Sequence, residues 1–393
     1  MRICHVVYAY FPADPRVRRE VESLRGAGHE VDVICLRDDG ELSRETVRGV
    51  GVVRVPLLAR RGGRLRYIFQ YVLFFLLSLV QLIRLHRHRA FQAVHVHSLP
   101  DFQVFCTLPL KLRSIPVVLD LHEALPEMMV ARLRIGFRSL LVRLARLAER
   151  LSVRFADQVI TVNEAVKGVV AERTGRRDIV VVMNSPDAYA LRSGDTAPLR
   201  LRLGLDSDPT IVYVGGINPE RDLETLFRAI SSLRNRFPVH VIIAGYGDPE
   251  YLAAIRGVSS ALPFAHPVLF LPRIPQDEVQ TYLDLSSIGV VSYEENALTQ
   301  VAIPTKVFEY AAAGKPMAIA RLRALASLFK DAAEFFTPGD AGELASAIER
   351  ILTDDARSKR FVAKARDVLM RCSWRVMEAR LLSVYDRVSG ERR

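Results

Sequence analysis

Residues Val301–Ile319 have the sequence VAIPTKVFEYAAAGKPMAI. Pro304 suits the first turn of a helix, because its φ is already near the helical value and its missing N–H is not needed there. Gly314 ends that helix and Pro316 prevents it from resuming. The apolar run Met317–Ala320 that follows predicts a buried strand. The stretch therefore predicts a helix of about ten residues leading into a strand, as expected of an α/β protein.

Lys306 and Glu309 lie near the start of the predicted helix and, being three residues apart, on one side of it. A helix N-terminus carries partial positive charge and free N–H groups, which suit a phosphate. We therefore expect Lys306 to hold a diphosphate and Glu309 to accept hydrogen bonds from ribose hydroxyls. The alternative is a solvated Lys–Glu pair on a surface helix.

Composition indicates a globular protein with an uneven charge. The chain has 393 residues, enough for two or three domains. Residues 1–190 carry 29 Lys and Arg against 19 Asp and Glu, whereas the remainder carries 26 against 25. A basic first half suggests an anionic partner. Because the sequence shows no nucleic-acid-binding motif, we expect a membrane surface or a phosphorylated lipid and no nucleic acid.

Cysteine spacing and the N-terminus indicate a reducing compartment. The cysteines show neither paired nor metal-ligand spacing, and we expect buried thiols: Cys4, Cys35, Cys106 and Cys372. Residues 1–7 run directly into a predicted strand and do not form a signal peptide. The expected location is the cytoplasm.

The first half begins with a strand–helix–strand order. Ile3–Tyr8 and Glu30–Leu36 are predicted strands of a parallel sheet, whose ligands bind beyond the carboxyl ends of the strands. The loop after the first strand lacks the glycine-rich dinucleotide fingerprint, which argues against a nicotinamide dehydrogenase. Arg16 and Arg18 are expected to project from this loop and the first helical turn, where they either contact a phosphate or remain structural.

Histidines mark two further strand ends. His95 and His97 alternate along one face of the predicted strand Ala93–His97, which could suggest a metal site. Because no third ligand is spaced nearby, we expect no metal there. His122 follows the apolar run Ile115–Leu119, and its position at a carboxyl strand end favours a site role over a structural one.

Two segments of the first half raise the question of a membrane. Tyr67–Ile83 is the most apolar part of the chain, but 17 residues are fewer than the roughly 20 that span a bilayer. We expect a buried helix of the first domain, with a helix in the membrane interface as the alternative. Arginines flank it on both sides: Arg60, Arg61, Arg64 and Arg66 before it, and Arg84, Arg87 and Arg89 after it.

Residues 132–155 predict a basic amphipathic helix. One stripe is apolar and the neighbouring one is basic: Leu140, Leu144, Leu147, Leu151 and Phe155, beside Arg143, Arg146, Arg150 and Arg154. Packing of the apolar stripe on the sheet with solvated arginines explains the pattern, and contact with anionic lipid is the alternative.

The second half opens with a predicted linker, Arg192–Asp208. An Asp-x-Asp triplet can chelate a metal, but Asp206-Ser-Asp208 directly precedes the predicted strand Thr210–Val214, so we interpret it as a turn. Gly215 and Gly216 follow the strand and let the backbone approach a phosphate. Arg221 can add a planar, bidentate charge at the same place.

Several of these motifs together resemble one family. The string PTKVFEYAAAGKP at residues 304–316 resembles the donor-binding signature of family 4 retaining glycosyltransferases, which have the two-domain GT-B fold. The first loop, FPADPRVRRE, and the pair VHVHSLPDF and LDLHEALPE resemble the same family. Most members carry two glutamates eight positions apart in the donor signature. Glu309 matches the second, whereas the first falls on Val301, so this chain departs from the commoner pattern.

The resemblance implies roles for individual residues. His122 would lie beside the transferred sugar, Arg221 stands where a Lys or Arg is usual, and the loop around Ile274 and Pro275 would frame the nucleotide base. Arg16 and Arg18 would lie on the acceptor side. The implied donor site comprises Gly215, Gly216, Arg221, Ile274, Pro275, Thr305, Lys306 and Glu309.

The expected architecture is α/β: two Rossmann-like domains of the GT-B fold facing a central cleft. The predicted acceptor domain is 1–190, the nucleotide-sugar domain is 191–370, and residues 371–393 form a helix that crosses back to the first domain. Arg221, Lys306 and the helix N-terminus would stabilise the leaving diphosphate, a task that metal ions perform elsewhere. The resemblance implies retention of configuration, with no cofactor and no obligatory metal.

The expected function is transfer of a hexose-type sugar from a UDP-sugar or GDP-mannose to a glycan or lipid-linked acceptor, in cell-surface polysaccharide or glycolipid assembly. We expect the enzyme to act in the cytoplasm, peripherally at the inner face of the membrane. The alternatives are a non-catalytic nucleotide-sugar-binding membrane protein, prompted by Val301 and the apolar segment, and a nucleotide-sugar epimerase of similar fold.

Overall fold

The structure is a computed structural model, and it describes residues 1–59, 64–185, 194–275 and 277–390. The chain divides into two compact units. The first consists of Met1–Asn184 together with Arg375–Arg393, and the second is Ser185–Trp374. Among the flanking arginines named above, Arg60 and Arg61 lie outside the described residues, as does the side chain of Arg64.

The first unit is built on one eight-stranded sheet with the order β3-β4-β2-β1-β5-β6-β7-β8. Its strands are β1 Arg2–Tyr10, β2 Glu30–Leu36, β3 Arg44–Val47, β4 Val50–Val55, β5 Ala93–His97, β6 Val117–Leu121, β7 Gln158–Thr161 and β8 Ile179–Val181. Among the strands that the structure describes in this unit, only the edge pair β3–β4 is antiparallel. The central strands β5 and β6 are buried throughout and mostly apolar, as expected when helices cover both faces of a parallel sheet.

The helices of the first unit connect these strands. They are α1 Pro15–Gly26, α2 Arg64–Arg89, α3 Leu108–Lys111, α4 Leu125–Leu133, α5 Leu140–Phe155 and α6 Glu164–Thr174, with a 3₁₀ helix at Asp101–Thr107. The start of α1 is fixed by Pro15 at its first position and by the Asp14 side chain, which accepts from the backbone N–H groups of Arg16 and Val17. This places α1 directly after the carboxyl end of β1.

Helix α2 is not the buried core helix that its apolar sequence predicts. A polar-containing stripe faces inward, since Gln70, Phe74, Ser78 and Leu82 are buried. Six large apolar side chains of the helix are exposed: Tyr67, Ile68, Phe69, Val72, Leu76 and Val80. The helix is long and apolar enough to cross a membrane by length and composition, and only 22% of its apolar window is buried.

Helix α5 also differs from the expectation. Leu140, Leu144, Leu147 and Leu151 face outward. The inward face is made of Val142, Ala145, Glu149, Ser152 and Val153, whose mostly small side chains let the helix approach its neighbours closely. Glu149 is tolerated there because Arg173 binds it with two hydrogen bonds of 2.6 and 2.7 Å. The predicted packing of the leucine stripe on the sheet is therefore wrong.

The second unit contains two three-stranded parallel sheets, with the orders β11-β10-β9 and β12-β13-β14. Their strands are β9 Thr210–Ile217, β10 His240–Gly247, β11 Leu269–Leu271, β12 Gly289–Val291, β13 Met317–Ala320 and β14 Glu334–Phe336. A single bridge between Ile211 and Ile288 connects the two sheets. The predicted strand Met317–Ala320 is confirmed residue for residue.

The helices of the second unit surround these sheets. They are α7 Ala197–Arg202, α8 Leu223–Leu233, α9 Pro249–Ala261, α10 Val279–Leu285, α11 Lys306–Ala312, α12 Arg323–Phe329, α13 Ala341–Thr353 and α14 Asp355–Arg371. A short 3₁₀ helix, Pro219–Arg221, precedes α8. The last helix, α15 Trp374–Gly390, lies mostly within the first unit, where the Tyr385 hydroxyl reaches His95.

Several predicted boundaries need correction. The helix predicted over 132–155 begins at Leu140, and the strand predicted over Thr210–Val214 extends to Ile217. The polar stretch Arg192–Asp208 is not a linker throughout, because α7 forms within it and Leu199 packs into a core cluster of the second unit. Helix α11 begins at Lys306, not at Pro304, and has seven residues instead of about ten. Pro304 lies before the helix, where its carbonyl accepts from the Val307 N–H at 3.3 Å.

Candidate functional site

Lys306 is the central residue of the candidate site in the second unit. It is the first residue of α11 and is almost wholly buried. Its ammonium group donates to the carbonyl of Val214, the residue of β9 just before Gly215, and lies 4.5 Å from the centre of the Tyr213 ring. Burial lowers the pKa of Lys306 from 10.5 to about 8, with Glu309 opposing the shift and Arg221 adding to it.

Gly215 makes room for that lysine. Its φ of +139° is one that side chains rarely adopt, and a Cβ there would collide with the Lys306 ammonium group. On the neighbouring strand, a Cβ at Gly245 would collide with the carbonyl of Gly215. The glycines of this edge are therefore required by close approach of the lysine and of the adjacent strand.

Arg221 supplies a second positive charge. Its guanidinium lies 4.4 Å from the centre of the Tyr293 ring, and the Ser292 hydroxyl donates to the Arg221 carbonyl at 3.0 Å. Its Nε is buried and has no hydrogen-bond partner among the residues that the structure describes. Because Arg221 contributes to lowering the pKa of Lys306, the two cations act on each other across the site. A pair of cations held on aromatic rings favours binding of an anion.

The other donor-side residues differ in their exposure. Glu309 is half-buried, one turn along α11 from Lys306, and Thr305 is exposed just before the helix. Ile274 is buried in a core cluster with Val212 and Ile242, so only its backbone can contribute to a ligand site. Pro275 is exposed, and its carbonyl accepts from Glu278 N–H at 3.1 Å. Gly216 accepts a 2.5 Å hydrogen bond from the Tyr213 hydroxyl.

Val301, which stands where the family usually has its first glutamate, is buried. Two carboxylates lie upstream in the same loop, and both are engaged by amide side chains. Asn296 donates to Glu294 at 2.8 Å, and Gln300 donates to Glu295 at 2.8 Å. Both glutamates are exposed. Their amide contacts hold this loop in place.

In the first unit, Arg16 does not project from its loop as expected. It is buried, and its guanidinium binds both carboxylate oxygens of Asp120 at 2.8–3.0 Å and donates to the Val182 carbonyl at 2.9 Å. Its Nε also lies 3.2 Å from Glu20. The cause is topological, because β6 carries Asp120 to the carboxyl edge of the sheet where α1 begins. Arg18, two residues on, is half-buried.

His122 lies at the carboxyl end of β6, and its side chain is partly exposed. Its Nε2 lies 3.1 Å from Asp120 Oδ2 and 3.0 Å from Nδ1 of His97. Arg16 and the hydrogen bonds from His122 and His97 outweigh burial and hold the pKa of Asp120 well below 3.8. Asp120 therefore stays ionised and orients the one partly exposed imidazole of this group.

The buried part of the group is a stack of histidines. His5 and His95 are partners in the register of β1 and β5, and His97 follows on the same face. His5 Nδ1 and His97 Nε2 are 2.9 Å apart, and the Tyr385 hydroxyl lies 2.7 Å from His95 Nδ1. Burial lowers the pKa of His97 to about 4 and those of His5 and His95 well below 6.5, so all three are neutral at pH 7.

His95 and His97 have further ligand-type side chains beside them in the fold. His5 and Glu20 supply further ligand atoms, and one from each of the four residues lies within 4.8 Å of the others. His5 lies on β1 and Glu20 on α1, 90 and 75 positions before His95. The spacing of residues around His95 in the sequence therefore could not indicate them. The expectation that catalysis needs no metal remains a prediction.

Sequence reasoning missed the aromatic residues of the donor side and the carboxylate of the acceptor side. Tyr213 lies within the apolar strand β9 and Tyr293 lies two residues after β12, where an aromatic residue is usually a core residue, so they gave no distinct signal. Asp120 did give one, since a charged residue inside the apolar run Val117–Leu121 must find a partner when buried.

Comparison with protein families assigns a domain to each half. Residues 13–185 match the description "Glycosyl transferase 4-like domain", and residues 208–354 match "Glycosyl transferases group 1". Among characterised relatives, the phosphatidyl-myo-inositol mannosyltransferase of Mycolicibacterium smegmatis is 26% identical over 94% of this chain and 88% of that protein. The D-inositol 3-phosphate glycosyltransferase of Nocardia farcinica is 29% identical, but the match spans 61% of this chain and only 54% of that protein.

Solved structures show the same fold at low identity. Sucrose-phosphate synthase of Thermosynechococcus elongatus superposes with a TM-score of 0.80 at 17% identity, covering all of both chains. HepE of Anabaena in complex with UDP-glucose gives a TM-score of 0.72 at 14% identity, covering 98% of this chain and 100% of that one. These findings support a glycosyltransferase of GT-B fold, in which a glycosyl transferase 4-like domain precedes a glycosyl transferases group 1 domain.

Proposed function

We propose that this protein is a retaining glycosyltransferase that moves a hexose-type sugar from a nucleotide-sugar to a glycan or lipid-linked acceptor. The observation that carries the proposal is the pair Lys306 and Arg221, two cations packed on tyrosine rings beside the glycine-rich end of β9. An arrangement of this kind stabilises an anion that forms as a bond breaks. The anion of a nucleotide-sugar reaction is the leaving nucleoside diphosphate.

The two cations have complementary tasks in this proposal. Arg221 presents a planar guanidinium that can bind phosphate oxygens with two parallel hydrogen bonds. Lys306, buried and already held by the Val214 carbonyl, offers a compact charge at a fixed position. A diphosphate next to Lys306 favours its protonated form and so offsets the burial that lowers its pKa. The N-terminus of α11 contributes less to the site, since a seven-residue helix has a small dipole.

We propose retention of configuration by attack on the donor face from which the diphosphate leaves. In that route the leaving phosphate accepts the acceptor's proton, and the protein supplies no covalent nucleophile. Glu309, the carboxylate one turn from Lys306, is proposed to bind the ribose. Thr305 and the backbone at Gly215, Gly216, Ile274 and Pro275 complete the proposed donor site.

The donor is proposed to be a UDP-sugar or GDP-mannose. HepE of Anabaena, which shares the fold, was solved with UDP-glucose, and the relative from Mycolicibacterium smegmatis is named a mannosyltransferase. These names support the class of donor, a nucleotide-sugar, and leave the base and the sugar to experiment.

In the first unit, we propose that His122 faces the transferred sugar. Its hydrogen bonds to ionised Asp120 and to His97 fix the orientation of the ring. Arg18 keeps its proposed role on the acceptor side. Arg16 is proposed to act through Asp120 as a positioning residue, because its own donors are taken by Asp120 and Val182.

We further propose that the enzyme works at the inner face of a membrane. Phe75 of α2 and Phe155 of α5 pack on Phe102 and Phe105 of the same 3₁₀ helix, so the two helices lie on one face of the sheet. Both carry exposed apolar stripes, described above, and exposed arginines lie alongside: Arg66, Arg84, Arg87, Arg143 and Arg154. Each basic residue near an anionic surface contributes about 1 kcal/mol, and apolar burial adds to it.

The relative that acts on phosphatidyl-myo-inositol supports a lipid-linked acceptor. An exposed apolar face next to basic residues is what reversible binding to anionic lipid needs. A cytoplasmic location with peripheral membrane attachment, in polysaccharide or glycolipid assembly, follows as part of the same proposal.

The decisive experiment incubates the full chain with radiolabelled UDP-glucose, UDP-galactose or GDP-mannose and a bacterial lipid extract. Transfer of label to lipid or glycan, with retained anomeric configuration by NMR, is the expected result. Conversion of the donor to an isomeric sugar nucleotide would indicate an epimerase. Saturable donor binding without any turnover would indicate a binding protein.

Vesicle flotation tests the membrane part separately. Binding should require anionic lipid, decrease with added salt, and weaken when Phe69 and Leu76 are replaced by serine. Leu201 is the matched control, because it is 84% exposed on α7 in the second unit and its replacement by serine should change nothing. A protein that stays soluble at low salt with excess anionic vesicles contradicts the membrane proposal and leaves the transferase proposal standing.

A further inference from the structure

A second cluster of ligand-type side chains lies at the amino edge of the β9–β10–β11 sheet. Asp206 and Asp208 form the turn before β9, His240 is the first residue of β10, and His266 precedes β11 by three positions. In a parallel sheet the starts of neighbouring strands meet at one edge. Three segments that are distant in sequence therefore bring these four side chains together.

The distances show that the side chains converge. His240 Nε2 lies 2.9 Å from Asp206 Oδ1, and His266 Nε2 lies 2.7 Å from Asp208 Oδ2 and 3.9 Å from Asp206 Oδ2. The two imidazole rings stack with their centres 3.7 Å apart. Ligand atoms of Asp206, His240 and His266 all lie within 4.8 Å of one another.

The turn itself is fixed by its own backbone. Asp206 Oδ1 accepts from the Asp208 N–H at 2.9 Å, and the Arg200 guanidinium binds the main-chain carbonyls of Asp206 and Asp208. The interpretation of Asp206-Ser-Asp208 as a turn is therefore confirmed. The turn also holds both carboxylates towards the histidines.

We propose that these residues form a binding site for one divalent transition-metal ion of the Zn²⁺ class. His240 Nε2, His266 Nε2 and a carboxylate oxygen of Asp206 would be the ligands, with Asp208 or water in the fourth position. Three protein ligands of mixed nitrogen and oxygen type, with one position open, are a common set for zinc. Two imidazoles favour zinc over magnesium or calcium, which prefer oxygen ligands.

Charge and access both suit such an ion. The two aspartate carboxylates carry two negative charges, which a divalent cation neutralises. Asp206 is exposed, and His266 and Asp208 are partly exposed, so an ion can enter from solvent. Arg200 adds a positive charge nearby, but it is directed at main-chain oxygens and not at the carboxylates.

The position separates this site from sugar transfer. The turn lies before β9, whereas Gly215 and the Lys306 contact lie at the other end of the same strand, roughly 20 Å away at 3.3 Å per residue. The ion would tie together the starts of three strands and stabilise the second unit. It would not contact the nucleotide-sugar, so this inference does not depend on the proposed function.

Titration of the full, metal-free chain with Zn²⁺ tests the inference by calorimetry. We expect one saturable site per chain and a melting temperature that rises with Zn²⁺, because an ion that binds only the folded state stabilises it. The variants H266Q and D206N should each weaken Zn²⁺ binding by at least about tenfold. Removing only a hydrogen-bond partner of a metal ligand already costs about that much, and these variants remove ligands. Co²⁺ should give visible d–d bands without a thiolate charge-transfer band.

The matched control is H88Q, which removes an exposed histidine at the end of α2 and should leave binding unchanged. Circular dichroism and metal-free melting show whether each variant is folded. Absence of 1:1 binding by the wild type overturns the inference. Binding that persists unchanged in the folded H266Q/D206N double variant also overturns it, because the ion then sits elsewhere, such as at the buried histidines of the first unit.

Discussion

Replacing Lys306 by methionine should make the second unit more stable while it impairs sugar transfer. The side chain is almost wholly buried, and its charge is held by the Val214 carbonyl and the face of Tyr213. A protein retains an unfavourably buried charge when the charge has a task that a neutral side chain cannot perform. Methionine has similar length and fits the same space without the charge.

The magnitude follows from the pKa of Lys306. Its decrease from 10.5 to about 8 corresponds to about 3 kcal/mol of unfavourable burial of the charged form at pH 7. Methionine leaves the Val214 carbonyl without its donor, which costs about 1 kcal/mol. The expected gain in the free energy of unfolding at pH 7 is therefore about 2 kcal/mol.

The same pKa gives the pH dependence. Between pH 8 and 10.5 the unfolded chain keeps the Lys306 proton that the folded chain has lost, so the unfolded state binds more protons. Stability of the wild type therefore rises with pH over this range. At pH 9.5 it should have regained about 2 kcal/mol, and the advantage of the methionine variant should disappear.

Denaturant unfolding at pH 7 and pH 9.5 measures this difference. Trp374, the single tryptophan of the chain, lies at the end of the second unit and reports on its unfolding by fluorescence. Lys359, exposed on α14 of the same unit, is the matched control, and its replacement by methionine should not reproduce the effect. A methionine variant of Lys306 that is less stable at pH 7, or whose difference from wild type does not change with pH, would refute this reasoning.

The other predictions concern transfer and stability. Arg221→Ala should raise the activation free energy obtained from kcat/KM by about 2–4 kcal/mol, the range for losing one transition-state stabiliser. A kcat/KM equal to that of the wild type in steady-state kinetics would place the donor site elsewhere. Glu309→Ala should mainly raise the dissociation constant for nucleotide in calorimetry; an unchanged constant argues against ribose binding. Chelators should leave initial transfer rates intact below the melting temperature, and loss of transfer that manganese or magnesium restores would contradict a metal-independent reaction. Arg16→Met should destabilise the first unit by about 3–5 kcal/mol because Asp120 stays buried without its partner, and chemical denaturation showing no such loss would exclude that ion pair.

Several strand positions were predictable from the sequence, because short apolar or alternating runs are typical of strands, whereas β3 and β4 were not predicted. Glu30–Leu36, Ala93–His97 and Met317–Ala320 were predicted residue for residue. The end of a strand at which a functional residue lies was also predictable, because ligands of a parallel sheet bind beyond the carboxyl ends of its strands. The placement of His122 at the carboxyl end of β6 followed from its position after an apolar run.

The inward face of a helix was not predictable where both faces are apolar. In α2 the buried stripe contains Gln70 and Ser78, and the Gln70 amide accepts a 2.7 Å hydrogen bond from the Tyr8 hydroxyl. The sheet therefore favours Gln70 on the inward face, because Tyr8 of β1 offers it a donor. Apolar periodicity alone would have placed both polar residues in solvent.

The partner of a charged residue depends on register, which sequence spacing does not reveal. Arg16 is surrounded by basic and acidic neighbours in sequence, yet it binds Asp120, 104 positions away. The sheet order places β1 beside β5 and β5 beside β6, so the loop after β1 and the end of β6 reach the same edge. The arginine at position 16 predicted the need for an anion. The order of the strands supplies that anion as the carboxylate of Asp120 and not as a phosphate of the acceptor. His240 and His266 show the same principle at the opposite edge of the other sheet, where strand starts bring them to Asp206.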